Sequence, residues 1–342
     1  MKVAYWYNNR DIRIIDEPVP EPGPDEVLVK IISCGICGSD VVEWYRLPRA
    51  PLVPGHEIGA EVVTVGNTVT SCKIGDRVFI APKVPCMHCE FCMREQYPLC
   101  TEIKERLPGG FAEYIVVPKV ILDNGTYLLP DSISYDQSTF IEPLACVVRA
   151  HRLAEIERGK RVMVFGAGMS GLLHIRLAKS RDCEVIATDI DKNRLQLAKA
   201  SGADTTLLAN GEVSEYFESG GPKPHIIMLC TGAASVVKQA WRYIEKGGTV
   251  VFFAVPNPDI EVTIPINHFW TREIKVLTSY YCGPPDIKDA LTLIESGQIE
   301  VADMITHRLP LTQTAKGFEL VSQRSDSLKV IIKPELNLLS DI

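Results

Sequence analysis

The hydrophobic positions of the chain follow two patterns. Between residues 162 and 280, short apolar runs alternate with segments whose apolar residues recur at helical spacing. The runs predict buried strands, and the segments between them predict helices that pack on those strands. This alternation indicates an α/β region with a doubly wound parallel sheet. The predicted strands are 162–165, 184–188, 225–229, 249–255 and 274–280, and the predicted helices include 192–201 and 235–245.

The flanking residues have a different pattern. Residues 1–33, 58–66 and 109–118 contain short extended runs separated by glycine and proline turns, which is typical of β structure. A helical run is predicted after Cys146 and up to Arg158, and 210–222 is interpreted as a polar excursion. Helices at 286–296 and 313–323 and a strand at 327–333 are expected to close the chain against the first β region.

A glycine motif marks the start of the α/β region. Gly166, Gly168 and Gly171 follow the first predicted strand in the order G-x-G-x-x-G and lead into a helix. In this context the glycines allow a tight turn, a close approach to pyrophosphate and packing of the helix on the strand. Asp189 ends the second strand, where an acid bonds an adenine ribose and disfavours a 2′-phosphate. We therefore predict NAD binding, although Arg194 could contact an adenine or phosphate edge.

Further cofactor contacts are expected around this motif. Met169 and Ser170 lie within it, at the start of the helix. Ligands of parallel sheets bind at the carboxyl ends of the strands. The residues expected beside the nicotinamide half of the cofactor are Cys230, Thr231, Ala254 and Ser279.

Four cysteines form the most specific local signal, at Cys86-x2-Cys89-x2-Cys92-x7-Cys100. Four thiolates on one short lobe match a closed tetrahedral zinc site. An iron–sulfur ferredoxin motif would place the fourth cysteine nearer to the third. A zinc ribbon needs two separated Cys-x-x-Cys knuckles, and disulfides would need an oxidising compartment. We therefore predict a structural zinc site.

A second set of ligand-type residues is dispersed along the chain. Cys37 lies in an early Cys-x-x-Cys pair, and His56-Glu57 precedes an extended run. Taken alone, His56 would more often be a hydrogen-bonded structural histidine. Glu142 lies among apolar residues, where an unpaired carboxylate is costly. From its local sequence, Glu142 is equally well explained as a first-turn helix acid or as a metal ligand.

The composition restricts the classes of function. The chain has 342 residues, which suggests about two domains, and a net charge of −7. That charge gives no electrostatic footprint for nucleic acid. The sequence has no long uncharged apolar stretch and no secretion-type N-terminus. We therefore expect a cytoplasmic location and no membrane role. Eleven cysteines in such a chain favour metal binding over disulfides.

In this order, the motifs resemble those of the zinc-dependent medium-chain alcohol and polyol dehydrogenases over essentially the whole length. The His56-Glu57 pair and the Glu142-Pro-Leu segment are most similar to the sorbitol, threonine and sugar or cyclitol dehydrogenase branch. The resemblance implies a GroES-like β-barrel catalytic domain with an inserted Rossmann domain. The expected boundaries are 1–147 with 282–342 for the first domain and 148–281 for the second.

The resemblance also implies roles for individual residues. Cys37, His56 and Glu142 are expected to bind a catalytic zinc, with Glu57 as a direct or exchangeable partner. Ser39 is expected to begin a proton relay. The cysteines implied as ligands of the structural zinc are Cys86, Cys89, Cys92 and Cys100.

Three features depart from the family pattern. The usual relay histidine is replaced by Val42, with Glu43 beside it. The segments between Cys37 and His56 and after Cys100 are shorter than in the sorbitol and threonine branch. Tyr280 stands where animal-type sorbitol enzymes often carry a pocket arginine, so sorbitol itself is not a safe prediction of the substrate.

The sequence therefore predicts an enzyme that transfers hydride from a secondary alcohol of a polyol, sugar or cyclitol to NAD⁺. Two zinc ions per chain and a homodimer or homotetramer are expected. One alternative is a threonine 3-dehydrogenase-like enzyme, with Glu43 as an ammonium-binding acid. The other is a non-catalytic NAD-binding regulator, which loss of a catalytic ligand would favour.

Overall fold

The computed structural model describes residues 1–103, 105–254, 257–323 and 327–336. The chain divides into two compact units, one formed by Met1–Ala145 with Cys282–Ile342 and the other by Cys146–Tyr281. Residue 255 of the strand predicted at 249–255 lies outside the described residues, as do parts of the predicted segment 282–342.

The elements up to residue 153 are mostly short. The strands are β1 (Lys2–Asn8), β2 (Asp11–Asp16), β3 (Val27–Gly35), β4 (Glu57–Val65), β5 (Arg77–Ile80), β6 (Tyr114–Val117) and β7 (Thr126–Leu128). The α-helices are α1 (Glu43–Arg46), α2 (Glu90–Met93), α3 (Lys119–Gly125), α4 (Tyr135–Ser138) and α5 (Ile141–Leu153).

Strands and helices alternate in the middle of the chain. The strands are β8 (Arg161–Phe165), β9 (Glu184–Asp189), β10 (Thr205–Leu208), β11 (Ile226–Leu229), β12 (Thr249–Phe252) and β13 (Lys275–Thr278). The helices are α6 (Met169–Ser180), α7 (Lys192–Ala200), α8 (Glu212–Glu218), α9 (Ala234–Tyr243) and α10 (Ile266–Trp270). The last elements are α11 (Pro284–Glu295), β14 (Ile305–Pro310), α12 (Thr314–Gln323) and β15 (Lys329–Lys333).

The first unit is built on a seven-stranded sheet that includes the last strands of the chain. Its order is β14-β15-β3-β4-β5-β7, with β6 also paired to β3. β15 runs antiparallel to β3, and Ile332 lies opposite Cys34. Buried aliphatic and aromatic side chains from these strands form one core, to which Phe111 and Phe318 contribute an edge-to-face ring pair. The C-terminal strand therefore lies next to the strand that leads to Cys37.

The second unit contains a six-stranded parallel sheet in the order β10-β9-β8-β11-β12-β13. Renumbered within the unit, this order is 3-2-1-4-5-6, the arrangement of a dinucleotide-binding Rossmann domain. The glycine turn follows β8, and Gly166 adopts a φ of +97° that favours glycine. A Cβ on Gly171 would overlap the carbonyl oxygen of Gly166, so α6 can start close to the strand only with glycine there. The predicted fold class is confirmed.

Three details differ from the sequence prediction. The polar stretch 210–222 contains the helix α8, which packs Val213, Tyr216 and Phe217 against the core of its unit. The strand β10 was not predicted either. The helix expected to reach residue 158 ends at Leu153, shortly before Glu155 adopts a positive φ of 53°. The segment of α8 fully buries only one side chain, Val213, so its helical periodicity is weak in the sequence.

Candidate active site

Three ligand-type side chains converge in the first unit. The ligand atoms of Cys37, His56 and Glu57 lie within 4.8 Å of one another. Cys37 follows β3, while His56 and Glu57 stand at the start of β4. The antiparallel register places Gly35 opposite Glu57, so the ends of the two strands meet at one point. A Cβ on Gly35 would overlap the Glu57 carboxylate, and glycine at this position allows the carboxylate to occupy that space.

A buried carboxylate orients the imidazole of this cluster. The Nδ1 atom of His56 lies 3.3 Å from Oδ1 of Asp40, whose side chain is fully buried. Oδ2 of Asp40 accepts a hydrogen bond from the Cys37 backbone N–H at 3.1 Å. Burial lowers the pKa of His56, but the charges of Asp40 and Cys37 outweigh it and hold the pKa well above its usual value. Because Nδ1 faces a carboxylate, Nε2 is the nitrogen available to a metal.

A buried ion pair holds the third side chain. Nζ of Lys329 donates to Oε2 of Glu57 at 2.6 Å, and both side chains are completely buried. The ammonium group also lies 4.8 Å from the centroid of the Phe140 ring. Within the described part of the chain, Oε1 of Glu57 is buried and has no hydrogen-bond partner. A buried carboxylate oxygen without a donor fits a site where a cation binds.

This set of donors fits a catalytic zinc. One thiolate, one imidazole nitrogen and one carboxylate oxygen provide three protein ligands, which is the number that leaves a fourth position open for substrate. The carboxylate behind the histidine is the usual supporting group of such a site. The orphaned Oε1 atom of Glu57 is the observation on which the fit rests.

Ser39 lies next to the cluster. Its hydroxyl donates to Sγ of Cys37 at 3.3 Å and accepts a hydrogen bond from Nη2 of Arg46 at 3.2 Å. Its backbone N–H lies 3.4 Å from the same sulfur. The hydroxyl therefore contacts one of the three clustered side chains and already has one cationic donor.

Val42 stands where the family has its relay histidine, and Glu43 lies beside it. Within the described residues, neither of them forms a hydrogen bond with the Ser39 hydroxyl. Val42 has no polar side-chain atom. The carboxylate of Glu43 accepts from the backbone N–H of Asn9 at 2.9 Å, in the turn between β1 and β2. Glu43 therefore has a structural partner outside the site.

Glu142 is placed differently from the three clustered side chains. It is 4% exposed, near the start of α5, and is not a member of the group formed by Cys37, His56 and Glu57. Its carboxylate lies within 4.8 Å of the Cys282 thiol. Burial lowers the pKa of the nearby Lys83, and the Glu142 charge is among the influences that oppose this shift. The structure thus brings together Cys37, His56 and Glu57, and it places Glu142 in a separate group with Cys282.

The four-cysteine lobe forms a second cluster. The ligand atoms of Cys86, Cys89, Cys92 and Cys100 lie within 4.8 Å of one another. The Sγ atoms of Cys89 and Cys92 are 3.5 Å apart, and those of Cys86 and Cys92 are 3.8 Å apart. Tetrahedral zinc with Zn–S bonds of about 2.3 Å requires S···S distances of about 3.8 Å, far longer than a disulfide. Hydrogen bonding from the Cys92 backbone lowers the pKa of Cys89 to about 6, which favours the thiolate.

The glycine motif of the second unit has the expected surroundings. Gly168 is the N-cap of α6, and Met169 and Ser170 form its first turn. Oδ2 of Asp189 accepts from the backbone N–H of Ala167 at 2.7 Å, so the carboxylate is anchored beside the glycine turn. A Cβ on Gly168 would lie 2.9 Å from Nη1 of Arg194, which puts a guanidinium group next to the turn.

The remaining cofactor candidates follow strands of the parallel sheet. Cys230 and Thr231 follow β11, Ala254 follows β12 and Ser279 follows β13. All four therefore lie at the carboxyl edge of the sheet, although Ala254 and Ser279 fall inside the predicted strands 249–255 and 274–280, because β12 and β13 end earlier than predicted. Oγ of Ser279 is buried and has no partner within the described ranges.

Three functional candidates were not identified from the sequence. Asp40 stands in the Cys37-Gly-Ser-Asp motif, and its adjacency to the cysteine is a signal that could have been used. Lys329 is a lysine at the start of a strand that is otherwise apolar, which also hints at a buried partner. Arg46 lies in a polar segment and carries no local signal.

None of the helices in the described ranges is long and apolar enough to span a bilayer.

Comparison with known proteins identifies the family. Residues 23–126 match the alcohol dehydrogenase GroES-like domain, and residues 171–296 match the zinc-binding dehydrogenase domain. The chain is 34% identical to sorbitol dehydrogenase from Gallus gallus over 340 residues, which covers 94% of this chain and 93% of that protein.

Two solved structures are similar over nearly the whole chain. A zinc-binding dehydrogenase from Sinorhizobium meliloti, bound to NADP, has a TM-score of 0.87 and 30% identity, with 97% of this chain and 99% of that chain covered. Galactitol-1-phosphate dehydrogenase from Escherichia coli has a TM-score of 0.85 and 27% identity, with coverages of 98% and 100%. The chain therefore belongs to the zinc-dependent medium-chain alcohol and polyol dehydrogenases, enzymes that use zinc and a nicotinamide cofactor.

Proposed function

We propose that this protein oxidises a secondary hydroxyl of a polyol, sugar or cyclitol and transfers the hydride to NAD⁺. The observation that carries the proposal is the convergence of Cys37, His56 and Glu57, with one buried Glu57 oxygen left without a partner. The first unit is then the catalytic domain, and the second unit binds the cofactor.

The residues of the first unit have distinct roles in this proposal. Cys37, His56 and Glu57 would hold a zinc ion, which when bound supplies a Lewis acid that favours loss of the substrate's hydroxyl proton. Asp40 orients the His56 imidazole from behind. The Ser39 hydroxyl contacts Cys37 and can hold or move that proton. Glu142, which the family resemblance implies as the third ligand, lies in the separate group with Cys282.

The preference for NAD rests on Asp189. Its carboxylate is fixed by the N–H groups of Ala167 and Asp191 at the end of β9. A fixed negative charge there repels a 2′-phosphate and can bond ribose hydroxyls. Arg194 beside Gly168 is placed to approach the pyrophosphate side of the turn. The NADP found in the S. meliloti relative makes a direct comparison of the two cofactors necessary.

The substrate class rests on the relatives and on the donor set. The related enzymes are named for sorbitol and galactitol 1-phosphate, which both carry adjacent hydroxyl groups. A carboxylate in place of a second thiolate makes the site harder and better suited to oxygen ligands. We propose that a vicinal diol therefore suits this site better than a simple monohydric alcohol.

The alternatives are less well supported. A threonine-type enzyme would use Glu43 to bind an ammonium group, but the Glu43 carboxylate is engaged with the Asn9 N–H. A non-catalytic regulator would be favoured by loss of a ligand, whereas the cluster retains a thiolate, an imidazole, a carboxylate and a nearby hydroxyl.

Metal analysis and a substrate panel test the proposal. We expect about two zinc ions per chain, together with NAD⁺ reduction on a panel of polyols, cyclitols and threonine. Turnover should be faster with NAD⁺ than with NADP⁺ and be abolished by chelation. One zinc per chain with no turnover on any panel member would reject the proposal and favour the regulator.

We further propose that two copies of the chain associate through the β13 edge of the parallel sheet, in a homodimer or within a homotetramer. Among the residues that the structure describes, β13 pairs only with β12, so its other edge is unpaired there. The adjacent Trp270 and Ile266 are 80% and 69% exposed, which is unusual for large apolar side chains. Light scattering of the wild type and of Trp270→Glu tests this: a monomeric wild type, or a variant with the wild-type mass, would reject this contact.

The cysteines suggest the compartment. Both clusters require thiolates, and the Sγ distances in the lobe are too long for disulfides. We propose a reducing environment such as the cytoplasm. Labelling of thiols in cell extracts, before and after removal of zinc, would test this.

A further inference from the structure

We propose that Arg46 is a positioning residue for the candidate active site, in a chain that has Val42 in place of the usual relay histidine. It holds the Ser39 hydroxyl and, through Asp40, the imidazole of His56. This inference rests on the proposed function, because it assigns to Arg46 a role in the site formed by Cys37, His56 and Glu57.

The contacts of Arg46 converge on two consecutive residues. Nη2 donates to Oδ1 of Asp40 at 2.7 Å and to the Ser39 hydroxyl at 3.2 Å. Nε donates to the Ser39 carbonyl oxygen at 3.2 Å. The arginine side chain is only 12% exposed, so these bonds are shielded from solvent. One planar group thus spans a backbone carbonyl, a hydroxyl and a carboxylate, a geometry that a lysine cannot reproduce.

The first consequence concerns the imidazole. Asp40 is fully buried, and the same oxygen, Oδ1, faces both Arg46 and Nδ1 of His56. A buried carboxylate that loses one cationic partner becomes costly, so the Asp40 side chain shifts away from its position behind His56. Because Asp40 sets which His56 nitrogen is available, Arg46 acts on the metal ligand through one intervening residue.

The second consequence concerns the hydroxyl. Arg46 occupies one lone pair of the Ser39 oxygen, and the hydroxyl proton points to Sγ of Cys37. A guanidinium group does not give up its proton near neutral pH, so Arg46 cannot pass a proton onward. The bond from Arg46 and the bond to Cys37 together fix the direction of the remaining lone pair on the Ser39 oxygen. Arg46 therefore orients the hydroxyl for the substrate, and the proton must leave by another route.

The sequence around Arg46 supplies a matched control. Arg46 and Arg49 both lie over the Tyr45 ring, at 5.4 and 4.9 Å from its centroid. Arg49 is exposed, and its Nη2 donates a hydrogen bond to the Tyr45 carbonyl oxygen. Arg49→Met therefore removes one positive charge and one ring contact from the same loop without touching Ser39 or Asp40.

The test compares Arg46→Lys, Arg46→Met and Arg49→Met in the zinc-loaded protein. Two quantities are measured: the rate of zinc transfer to a chromogenic chelator, and kcat and KM with NAD⁺ and the best polyol of the panel. In Arg46→Lys the cation beside Asp40 remains, so zinc release should stay within about twofold of wild type, while kcat falls about tenfold at similar KM. Arg46→Met should also release the more labile zinc at least about tenfold faster. Arg49→Met should leave both quantities within about twofold.

Each outcome decides one part of the inference. If kcat of Arg46→Lys equals that of Arg49→Met, Arg46 does not orient Ser39. If zinc release from Arg46→Met is also unchanged, Arg46 does not support His56 and the inference fails completely. Should Arg46→Met not fold, Arg46→Gln gives the neutral comparison. A wild type with a single zinc and no turnover would instead reject the proposed function, before any variant is compared.

Discussion

The two cysteine-containing clusters of the first unit are organised in different ways. In the lobe, all four thiols come from one short segment, and the backbone N–H groups of Cys86 and Cys89 donate to the sulfurs of Cys100 and Cys86. In the candidate active site, the side chains come from the ends of two paired strands. Glu57 is held there by Lys329, which lies 272 positions away in the chain.

This difference shows what each cluster depends on. The geometry of the lobe is set by local turns and by the metal it would bind, so its spacing is visible in the sequence. The geometry of the active site is set by the register of β3, β4 and β15, and by buried charges that compensate one another. The lobe should therefore fail by loss of local structure, and the active site by loss of metal or of orientation.

The largest expected effect separates the two clusters by activity. Cys37→Ser removes one ligand of the proposed catalytic zinc, and Lewis-acid stabilisation is worth several kcal/mol. We expect kcat/KM to fall by about 10³-fold or more, with about one zinc per chain retained and little change in thermal stability. Cys72→Ser, which alters a cysteine outside both clusters, is the control. Full activity in Cys37→Ser would contradict the assignment of the site.

The second prediction concerns the cysteine lobe, where we expect a substitution to lower stability and to leave activity almost unchanged. Cys92→Ser removes a buried sulfur from the lobe, and loss of a structural metal belongs to the most destabilising class of substitution. We expect the unfolding midpoint to fall by about 10 °C, measured by calorimetry. Activity per correctly folded molecule should remain within about threefold of wild type at low temperature. A variant as stable as Cys72→Ser would show that the lobe does not depend on four thiolates.

The same contrast explains how far the sequence could predict the molecule. The doubly wound sheet, the glycine motif and the cysteine lobe rest on patterns within about thirty residues, and the structure contains all three. The helix α8 was missed because it buries only one side chain fully, Val213.

The active site was harder to predict because its decisive contacts are long-range. The local sequence explains Glu142 equally well as a helix acid or as a metal ligand, and only the family resemblance favours the metal ligand. The structure groups Glu57 with Cys37 and His56. The difference lies in the register between β3 and β4 and in the pairing of Glu57 with Lys329, and no local pattern encodes either of them.

The third prediction concerns this long-range contact. Lys329→Met removes the ammonium group from Glu57 and leaves a buried carboxylate without its cation. We expect the affinity for the catalytic zinc to fall by about 10- to 100-fold, measured by competition with a chelator. Lys333→Met is the matched control, because it lies on the same strand and pairs with Asp136 away from the cluster. Equal zinc affinities in the two variants would contradict the role of Lys329.

The smallest expected effect is a loss of stability at low pH, caused by two buried histidines of the second unit. It limits the pH range in which metal release from the two clusters can be compared. His151 and His174 are both fully buried, and Nε2 of His151 lies 3.0 Å from Nδ1 of His174. Burial lowers the pKa of His174 to about 3, and burial together with the charge of His174 lowers that of His151 well below its usual value. Both rings are therefore neutral in the folded protein.

The sign of the pH dependence follows from these directions. Below pH 6.5 the unfolded chain binds protons that the folded chain does not, so stability is highest above the ordinary histidine pKa and falls as the pH drops toward about 3. The expected loss at pH 6 is roughly 1 kcal/mol for each histidine relative to pH 8. Denaturant unfolding of the wild type and of His151→Phe measures it, and the variant should lose about half of the slope between pH 5 and 6.5. An unchanged slope would mean that other groups govern acid sensitivity, and metal release from the two clusters could then be compared at low pH without interference from this pair.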